Sequence, residues 1–312
     1  MRRLALLAIA LLALPGCGGG SDDGERVTLA LDFQPNPVHA GIFAAERERL
    51  DEREGVDLRV RVPAASTDSL KLLAAGRADI SVVDIHDLGL ARQAGSDVVG
   101  VGALVQRPLA AVIARRERVT RPRDLEGKRV GVTGLPSDDA VLRSIVEADG
   151  GDFERVRRVT IGFSAVPTLI AGRVDAVVSF WNAEGVALRR RGVATREFRV
   201  DDFGAPSYPE LVLVAERDTL EERRELVEST LDALRAGTRA ALADRPAAVQ
   251  DIARASGADE PLVRAQLAAV APALTPPIAL DRAALRGWAE FDARLGILDA
   301  RPDVAEAFSA GG

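Results

Sequence analysis

The segment Phe180–Gly185 (FWNAEG) brings an indole, an amide and a carboxylate close together at the end of an apolar run. Trp181 offers a flat face on which a ring can stack, while Asn182 and Glu184 offer hydrogen-bond donors and acceptors. The preceding residues, Asp175–Ser179, predict a buried strand, and a helix is predicted to follow. Because ligands of open α/β sheets bind just beyond the carboxyl ends of strands, this segment predicts a site for a flat polar heterocycle. The alternative is that Trp181 fills the core and Glu184 caps a helix.

The elements around this segment alternate between short apolar strands and amphipathic helices from Val27 to Ala215. Such alternation predicts mostly parallel sheets with helices on their faces. From Thr219 onward the spacing of apolar residues predicts only successive amphipathic helices. We therefore expect an α/β fold with a helical C-terminal extension.

An internal repeat links two parts of the chain. Ala75–Val83 (AGRADISVV) matches Ala171–Ser179 (AGRVDAVVS) at an offset of 96 residues. In each copy a glycine is expected to end a helix in a left-handed cap, and an aspartate to start a buried strand. Two copies predict two similar lobes, with Asp84–His86 facing the Phe180–Asn182 loop across a cleft. The alternative is chance recurrence in a chain rich in alanine and arginine.

The N-terminus has the pattern of an export signal. Two arginines precede an apolar run, Leu4–Leu14, which is too short to span a bilayer. The run leads into Leu14-Pro15-Gly16-Cys17, which resembles the lipobox of bacterial lipoproteins. We expect residues 1–16 to be a signal peptide, Cys17 to be lipidated, and residues 17–25 to be a polar tether. The protein would then be extracytoplasmic and lipid-anchored to the outer face of the bacterial cell membrane.

Composition excludes several functions. The net charge is −6 and no basic patch stands out, which argues against nucleic acid as a partner. Cys17 is the only cysteine, and His39 and His86 are the only histidines, so we expect no disulfide, no transition-metal site and no Ser-His-Asp triad. No cofactor site is predicted either.

Together these features resemble a type II periplasmic substrate-binding protein of an ABC importer. The closer resemblance is to the family that joins bacterial thiamine-pyrimidine binding proteins with the fungal pyrimidine synthases of thiamine biosynthesis. It is carried by these segments: Leu31–Gly41 (LDFQPNPVHAG), Gly76–Asp79, Gly172–Asp175, Phe180–Gly185 and Ser207–Val212 (SYPELV). The implied fold has two lobes, each a mostly parallel sheet flanked by helices. We assign residues 26–106 and 209–312 to one lobe and residues 107–208 to the other.

The resemblance also implies how a ligand is held. Glu184 would read a ring nitrogen and an exocyclic amine of a pyrimidine through a charge-assisted, two-point hydrogen bond. Aromatic side chains would stack on the ring, and Tyr208 would close the site. The complete set of predicted ligand contacts is Phe33, Asn36, His39, Ser66, Asp84, His86, Trp181, Asn182, Glu184 and Tyr208. Two departures from the family, Phe33 in place of tryptophan and Ala183 in place of a second aromatic, leave room for a different ligand.

An enzymatic function is the alternative from a different class. His86 lies where the synthases carry a histidine that donates its ring atoms to the product. However, the synthases carry a cysteine-rich motif where this chain has Ala205–Pro209, which contains no cysteine. Their phosphate-holding turn corresponds to Leu135–Asp139, where two carboxylates in the first turn of a helix would repel a phosphate. These departures argue against a synthase.

We therefore predict a monomeric, non-catalytic binding protein that delivers an aminopyrimidine to the permease and ATPase of an ABC importer. Binding would close the lobes by bending near Gln106–Pro108 and Phe203–Tyr208. The alternatives are another small solute, such as riboflavin, a sulfonate or an amine, and a sensor or adaptor lipoprotein that transports nothing. Glu184 disfavours an anionic ligand, because an unpaired carboxylate in a closing cleft is costly.

Overall fold

The computed structural model describes residues 24–65 and 67–309. The predicted signal peptide, Cys17 and Ser66 lie outside these residues. The first strand begins at Glu25, whose amide donates to the carbonyl of Gly55 at 2.9 Å, so the predicted tether overlaps the folded domain by one residue. In the described part of the chain, no helix combines the length and the apolar character needed to cross a bilayer.

Residues 24–65 and 67–309 contain ten strands, which make up two sheets. They are β1 (Glu25–Ala30), β2 (Val56–Arg61), β3 (Ile80–Asp84), β4 (Val98–Val105), β5 (Ala110–Arg115), β6 (Arg129–Val132), β7 (Arg157–Thr160), β8 (Ala176–Phe180), β9 (Thr195–Arg199) and β10 (Leu211–Glu216). One sheet has the order β2-β1-β3-β10-β4 and the other β7-β6-β8-β5-β9. We call the sheet of β1–β4 and β10, with its helices, the first lobe, and that of β5–β9 the second lobe.

The two sheets have the same topology. In the first lobe β10 is antiparallel to its two neighbours, and the other four strands are parallel to one another. In the second lobe β5 is likewise antiparallel to its two neighbours, β8 and β9, and the other four strands are parallel to one another. The central strands β3 and β10 are buried at all positions but the last, and β4, at the edge of the first sheet, is buried at every position. The predicted α/β fold with two mostly parallel sheets is confirmed.

Helices cover both sheets. They are α1 (Ala40–Arg47), α2 (Leu50–Arg53), α3 (Asp68–Ala74), α4 (Ile85–Gln93), α5 (Pro136–Ala148), α6 (Ala165–Ile170), α7 (Val186–Arg190), α8 (Arg217–Glu222), α9 (Arg224–Ala243), α10 (Arg245–Ser256), α11 (Glu260–Val270), α12 (Arg282–Arg294) and α13 (Val304–Ala307). The long helix α9 packs on α1 against the first sheet. In contrast, α11 also contacts the second lobe, where Gln266 Nε2 donates to the carbonyl of Ala183 at 3.0 Å.

The sequence repeat is a structural repeat. Gly76 and Gly172 both have positive φ values, 63° and 65°, as expected for left-handed helix caps. The aspartate that follows each glycine accepts a backbone hydrogen bond from the neighbouring strand: Asp79 from Thr28 N at 2.7 Å, and Asp175 from Arg129 N at 3.0 Å. Each copy therefore fixes the start of the strand that leads to the cleft.

Two chain segments cross between the lobes, one from β4 to β5 and one from β9 to β10. Glu210, at the end of the second crossing, is fully buried. Its Oε2 accepts from Leu109 N of the first crossing at 2.6 Å, and its own amide donates to the carbonyl of Val105 at 3.0 Å. Burial raises the pKa of Glu210 to about 8. The two crossings are thus held together by one buried side chain.

Candidate ligand-binding site

A cleft of about 340 Å³ lies between the lobes. Its volume is at the lower end of the range for small-molecule sites. It is located where β3 ends at Asp84 and β8 ends at Phe180, so both lobes present the carboxyl ends of parallel strands to it. Of the predicted contacts, Phe33, Asn36, Asp84 and Glu184 line this cleft.

Glu184 enters the cleft from a π-helical turn, Trp181–Gly185, that joins β8 to α7. Such wide turns are rare and are found frequently at functional sites. Its Oε2 accepts from Phe180 N at 3.2 Å, so the carboxylate also caps its own turn. Burial raises the pKa of Glu184 to about 6, and the nearby charge of Asp32 adds to this effect, while hydrogen bonds from the backbone oppose it. The two interpretations of Glu184, cap and cleft residue, are therefore compatible.

Asp84 is the counterpart of this carboxylate in the first lobe. Its Oδ1 accepts from His86 N at 2.8 Å, which caps α4. Burial raises its pKa well above the usual value, and the neighbouring carboxylates of Glu210 and Asp87 act in the same direction. Loss of water around a carboxylate favours its protonated form, or a ligand that brings a proton or a positive charge.

The cleft is acidic. Five carboxylates are among its lining residues: Asp32, Asp84, Asp87, Asp138 and Glu184. Lys71 is the only basic residue in the described lining, and its ammonium group donates to Thr67 Oγ1 at 2.8 Å. This charge distribution favours a ligand rich in N–H donors or carrying positive charge.

Two phenylalanines meet in the cleft from opposite lobes. The ring centroids of Phe33 and Phe163 are 4.4 Å apart, with an angle of 70° between the ring planes. Phe33 was predicted to contact the ligand, whereas Phe163 was missed. Phe163 follows β7 in a short loop whose sequence has no motif, so only the fold reveals its position. The pair offers apolar ring surface within the acidic cleft.

Trp181 lies beside the cleft rather than in its lining. Its indole Nε1 donates to the carbonyl of Pro108 at 3.3 Å, and the Arg199 guanidinium lies 4.1 Å above the centre of its ring. Pro108 belongs to a segment that crosses between the lobes, so Trp181 ties the π turn to this crossing. One face of the Trp181 ring is therefore occupied by a cation of the same chain, and stacking of the ligand on Trp181 stays a prediction.

His86 and Tyr208 are buried away from the cleft. His86 Nδ1 lies 2.9 Å from a carboxylate oxygen of Asp292 on α12, and Nε2 lies 3.1 Å from the Tyr208 hydroxyl. Burial alone would lower the pKa of His86, but the Asp292 carboxylate outweighs burial and raises it to about 9. The histidine is thus a cation that joins α4 to α12. In this arrangement His86 and Tyr208 do not line the cleft, because their polar atoms bind each other in the core. That they touch the ligand stays a prediction.

The remaining predicted residues have supporting positions. His39 is buried; its Nε2 donates to Asp32 Oδ1 at 2.8 Å and its Nδ1 accepts from Asn36 N at 3.3 Å, so it orients the Asp32 carboxylate. Asn36 lines the cleft, but its side chain is engaged with Val38 N and the carbonyl of Gln34. Asn182 is fully buried outside the lining, and within the described chain neither of its side-chain polar atoms has a hydrogen-bond partner.

A contact between the lobes was not predicted. Asp87, in the first turn of α4, accepts from Ser137 N at 3.1 Å and from Ser137 Oγ at 2.9 Å, across the cleft on α5. Asp138 accepts at the same helix start, from Gly134 N at 2.9 Å and Thr133 Oγ1 at 2.7 Å. Burial raises the pKa of Asp87 and of Asp138 to about 6. Asp87 and Ser137 are 50 positions apart in sequence, so no local pattern indicates their contact.

The comparisons with known proteins agree with this geometry. Residues 36–248 match the family described as "NMT1/THI5 like". The chain is 35% identical over 226 residues to a formylaminopyrimidine-binding protein of Halalkalibacterium halodurans, covering 71% of this chain and 68% of that protein. It is 25% identical over 217 residues to a 4-amino-5-hydroxymethyl-2-methylpyrimidine phosphate synthase of Legionella pneumophila, covering 68% of each.

A solved structure has the same fold. The alkanesulfonate-binding protein SsuA from Xanthomonas axonopodis pv. citri, bound to MOPS, superposes with a TM-score of 0.74 at 19% identity, covering 92% of this chain and 98% of that one. At this level of identity the likeness shows the fold of the periplasmic binding proteins and not the ligand. Taken with the matched residues and the relative at 35% identity, these findings show that the chain belongs to the NMT1/THI5 like family.

Proposed function

We propose that this protein is an extracytoplasmic binding protein that delivers an aminopyrimidine precursor of thiamine to an ABC importer. The observation that carries the proposal is the desolvated carboxylate of Glu184 at the end of β8, in an acidic cleft that also holds two phenylalanine rings. The relative of 35% identity, which is named for binding formylaminopyrimidine, supports the same ligand class.

The chemistry of the ligand matches this carboxylate. An aminopyrimidine presents a ring nitrogen and an exocyclic amine on one edge, and a carboxyl group pairs with that edge through two parallel hydrogen bonds. Because the pKa of Glu184 is about 6, one proton can be shared between its carboxyl group and the ring nitrogen near neutral pH. Phe33 and Phe163 supply apolar surface for the ring.

Binding without catalysis is part of the proposal. The resemblance aligns His86 with the histidine that reacts in the synthases, but His86 is held in the core by Asp292 and Tyr208 and is not among the cleft-lining residues. The segment Ala205–Pro209 contains no cysteine. A riboflavin-, sulfonate- or amine-binding protein remains the main alternative, and the acidic lining opposes the sulfonate.

Delivery to a permease follows from the proposed setting. Cys17 would be lipidated, and the tether would hold the monomeric binding domain at the outer face of the membrane. The lobes would close over the ligand by bending at the two crossings, and the closed form would dock on the permease and its ATPase. Labelling of Cys17 with a radioactive fatty acid, and its loss in Cys17→Ser, tests the anchor.

The ligand is tested by mass spectrometry of small molecules released from the purified protein, followed by thermal shift with aminopyrimidines, riboflavin, sulfonates and amines. We expect an aminopyrimidine to be released and to raise the melting temperature. Glu184→Ala should abolish the shift while the protein still folds. If another solute raises the melting temperature and no aminopyrimidine does, the proposal is wrong.

A further inference from the structure

The start of α5 opens onto the cleft, since Pro136, Ser137 and Asp138 are among its lining residues. The first turn of a helix of this length presents free N–H groups and the positive end of the helix dipole, which makes it a general acceptor of phosphate. In this chain, carboxylates of the protein itself accept the hydrogen bonds at the start of α5. Asp138 accepts from the amides of Gly134 and Leu135, at 2.9 and 3.2 Å, directly before the helix.

A second carboxylate reaches the same place from the opposite lobe. Asp87 is nearly completely buried, and both of its oxygens accept from Ser137, one from the amide and one from the hydroxyl. Because Asp87 belongs to the first lobe and Ser137 to the second, the contact between the lobes places this carboxylate on the helix start. A phosphate group would have to displace it and would then face Asp138 as well.

The rest of the described lining offers no buried positive charge that would stabilise a bound phosphate. Lys71, the only basic residue among the described lining residues, is largely exposed and already donates to Thr67 Oγ1. Asp32, Asp84 and Glu184 add further carboxyl groups to the lining, none of which attracts a phosphate. Like charges brought together in a site with little water repel each other strongly.

We propose that Asp87 and Asp138 are specificity residues that make the closed cleft reject phosphorylated ligands. Resting on the proposed function, this means that the protein takes a free aminopyrimidine alcohol and discriminates against its phosphate monoester. The discrimination separates this chain from its synthase relatives, whose names specify a pyrimidine phosphate. Asp87 acts twice, as an anion-excluding group and as a contact that joins the lobes.

Calorimetric titration with an aminopyrimidine alcohol and with its phosphate monoester tests this inference. The proteins are the wild type, Asp87→Asn, Asp138→Asn, the double variant and Asp139→Asn. Asparagine keeps an oxygen that accepts from Ser137 or Gly134, so the helix start stays capped. Asp139 is the matched control, because it lies in the same helical turn but points to Arg158, at 3.7 Å, and is not in the lining.

We expect the wild type to prefer the alcohol by about 100-fold or more, and the double variant to lose at least about tenfold of that preference through tighter binding of the monoester. Asp139→Asn should keep the wild-type preference. Equal binding of both compounds by the wild type, or equal changes in the double variant and the control, would overturn the inference.

A second probe separates this inference from the proposed function. Inorganic phosphate should raise the melting temperature of the double variant and leave those of the wild type and of Asp139→Asn unchanged. If neither aminopyrimidine binds any of the proteins but phosphate behaves in this way, the proposed function fails and the exclusion of phosphate stands. If phosphate stabilises the wild type as much as the double variant, the exclusion itself is wrong.

Discussion

Two junctions between strand and helix, 96 residues apart, face each other across the cleft. In the first lobe β3 ends at Asp84 and passes directly into α4, and the Asp84 carboxylate accepts from His86 N. In the second lobe β8 ends at Phe180 and passes through a π-helical turn before α7, and Glu184 accepts from Phe180 N. The Asp84 carboxylate therefore caps the helix that follows it, whereas the Glu184 carboxylate lies within the π-helical turn and accepts from the end of the preceding strand.

The repeat also places one buried polar residue at the equivalent position of each lobe. His86 in the first lobe has both ring nitrogens engaged, by Asp292 and Tyr208. Asn182, its counterpart in the second lobe, has no partner for either side-chain polar atom within the described residues. The repeat thus supplies a common scaffold, with a buried ion pair in one lobe and a wide turn that faces the cleft in the other.

The largest expected effect concerns these buried counterparts. His86→Leu leaves the Asp292 carboxylate buried without its cation, so we expect the free energy of unfolding to fall by about 3–5 kcal/mol. Asn182→Leu, the matched change in the other lobe, removes two polar atoms without partners and should alter stability by about 1 kcal/mol or less. Urea denaturation of both variants checks this contrast. Similar losses in the two lobes would contradict it.

The next effect concerns the two carboxylates at the strand ends. Glu184→Gln removes the proposed charge-assisted pair, and we expect aminopyrimidine affinity to fall by about 100-fold with the melting temperature unchanged or slightly raised. Asp84→Asn keeps a side-chain oxygen that caps α4, and its effect on affinity should be several times smaller. Calorimetric titration of both variants decides which lobe reads the ligand; a larger loss in Asp84→Asn would reverse the assignment.

A pH dependence distinguishes the same two carboxylates. Because the pKa of Glu184 is about 6, its carboxylate is ionised at pH 8 and must take up the proton that it shares with a neutral ligand. We expect affinity to be highest near pH 6 and to fall by up to about tenfold per pH unit above pH 7. This dependence of affinity on pH should disappear in Glu184→Gln and persist in Asp84→Asn. A flat profile in the wild type would rule out proton sharing.

The smallest effect tests the repeat itself. Gly76 and Gly172 have nearly equal positive φ values, and an added Cβ meets nothing within 4 Å at Gly76 and only Arg115 Nη1 at 3.6 Å at Gly172. Each Gly→Ala change should therefore cost only the backbone penalty of about 1–2 kcal/mol, equal in the two lobes. Thermal denaturation measures both. Unequal costs would show that the two caps are not equivalent.

Local patterns were sufficient to predict the fold and part of the site. The repeat that starts at Ala75 and Ala171 predicted two lobes with facing strand ends, because helix caps and buried strands are encoded by neighbouring residues. Glu184 was selected as a candidate in the same way, since its position in the cleft depends on the strand that precedes it. Phe33 and Asn36 came from the resemblance of one short segment, and both line the cleft.

The rest depends on contacts between distant residues. His86 was predicted to face the ligand, but its partner Asp292 lies 206 positions away, so no pattern around His86 could place it in the core. Trp181 has the residue type of a stacking platform, yet one face of its ring is occupied by Arg199. Asp87 was missed, because its partner Ser137 is on the other lobe and only the tertiary structure brings them together.

The contact between α11 and the π turn has a practical consequence. Gln266 Nε2 donates to the carbonyl of Ala183, the residue next to Glu184, so a helix at the surface is connected to the turn that is proposed to read the ligand. Ala268 lies on the same helix and is exposed. Since Cys17 is the only cysteine, a single thiol introduced at Ala268 in a Cys17→Ser background would carry one fluorescent dye. The fold thereby offers a reagentless optical sensor whose signal originates outside the cleft.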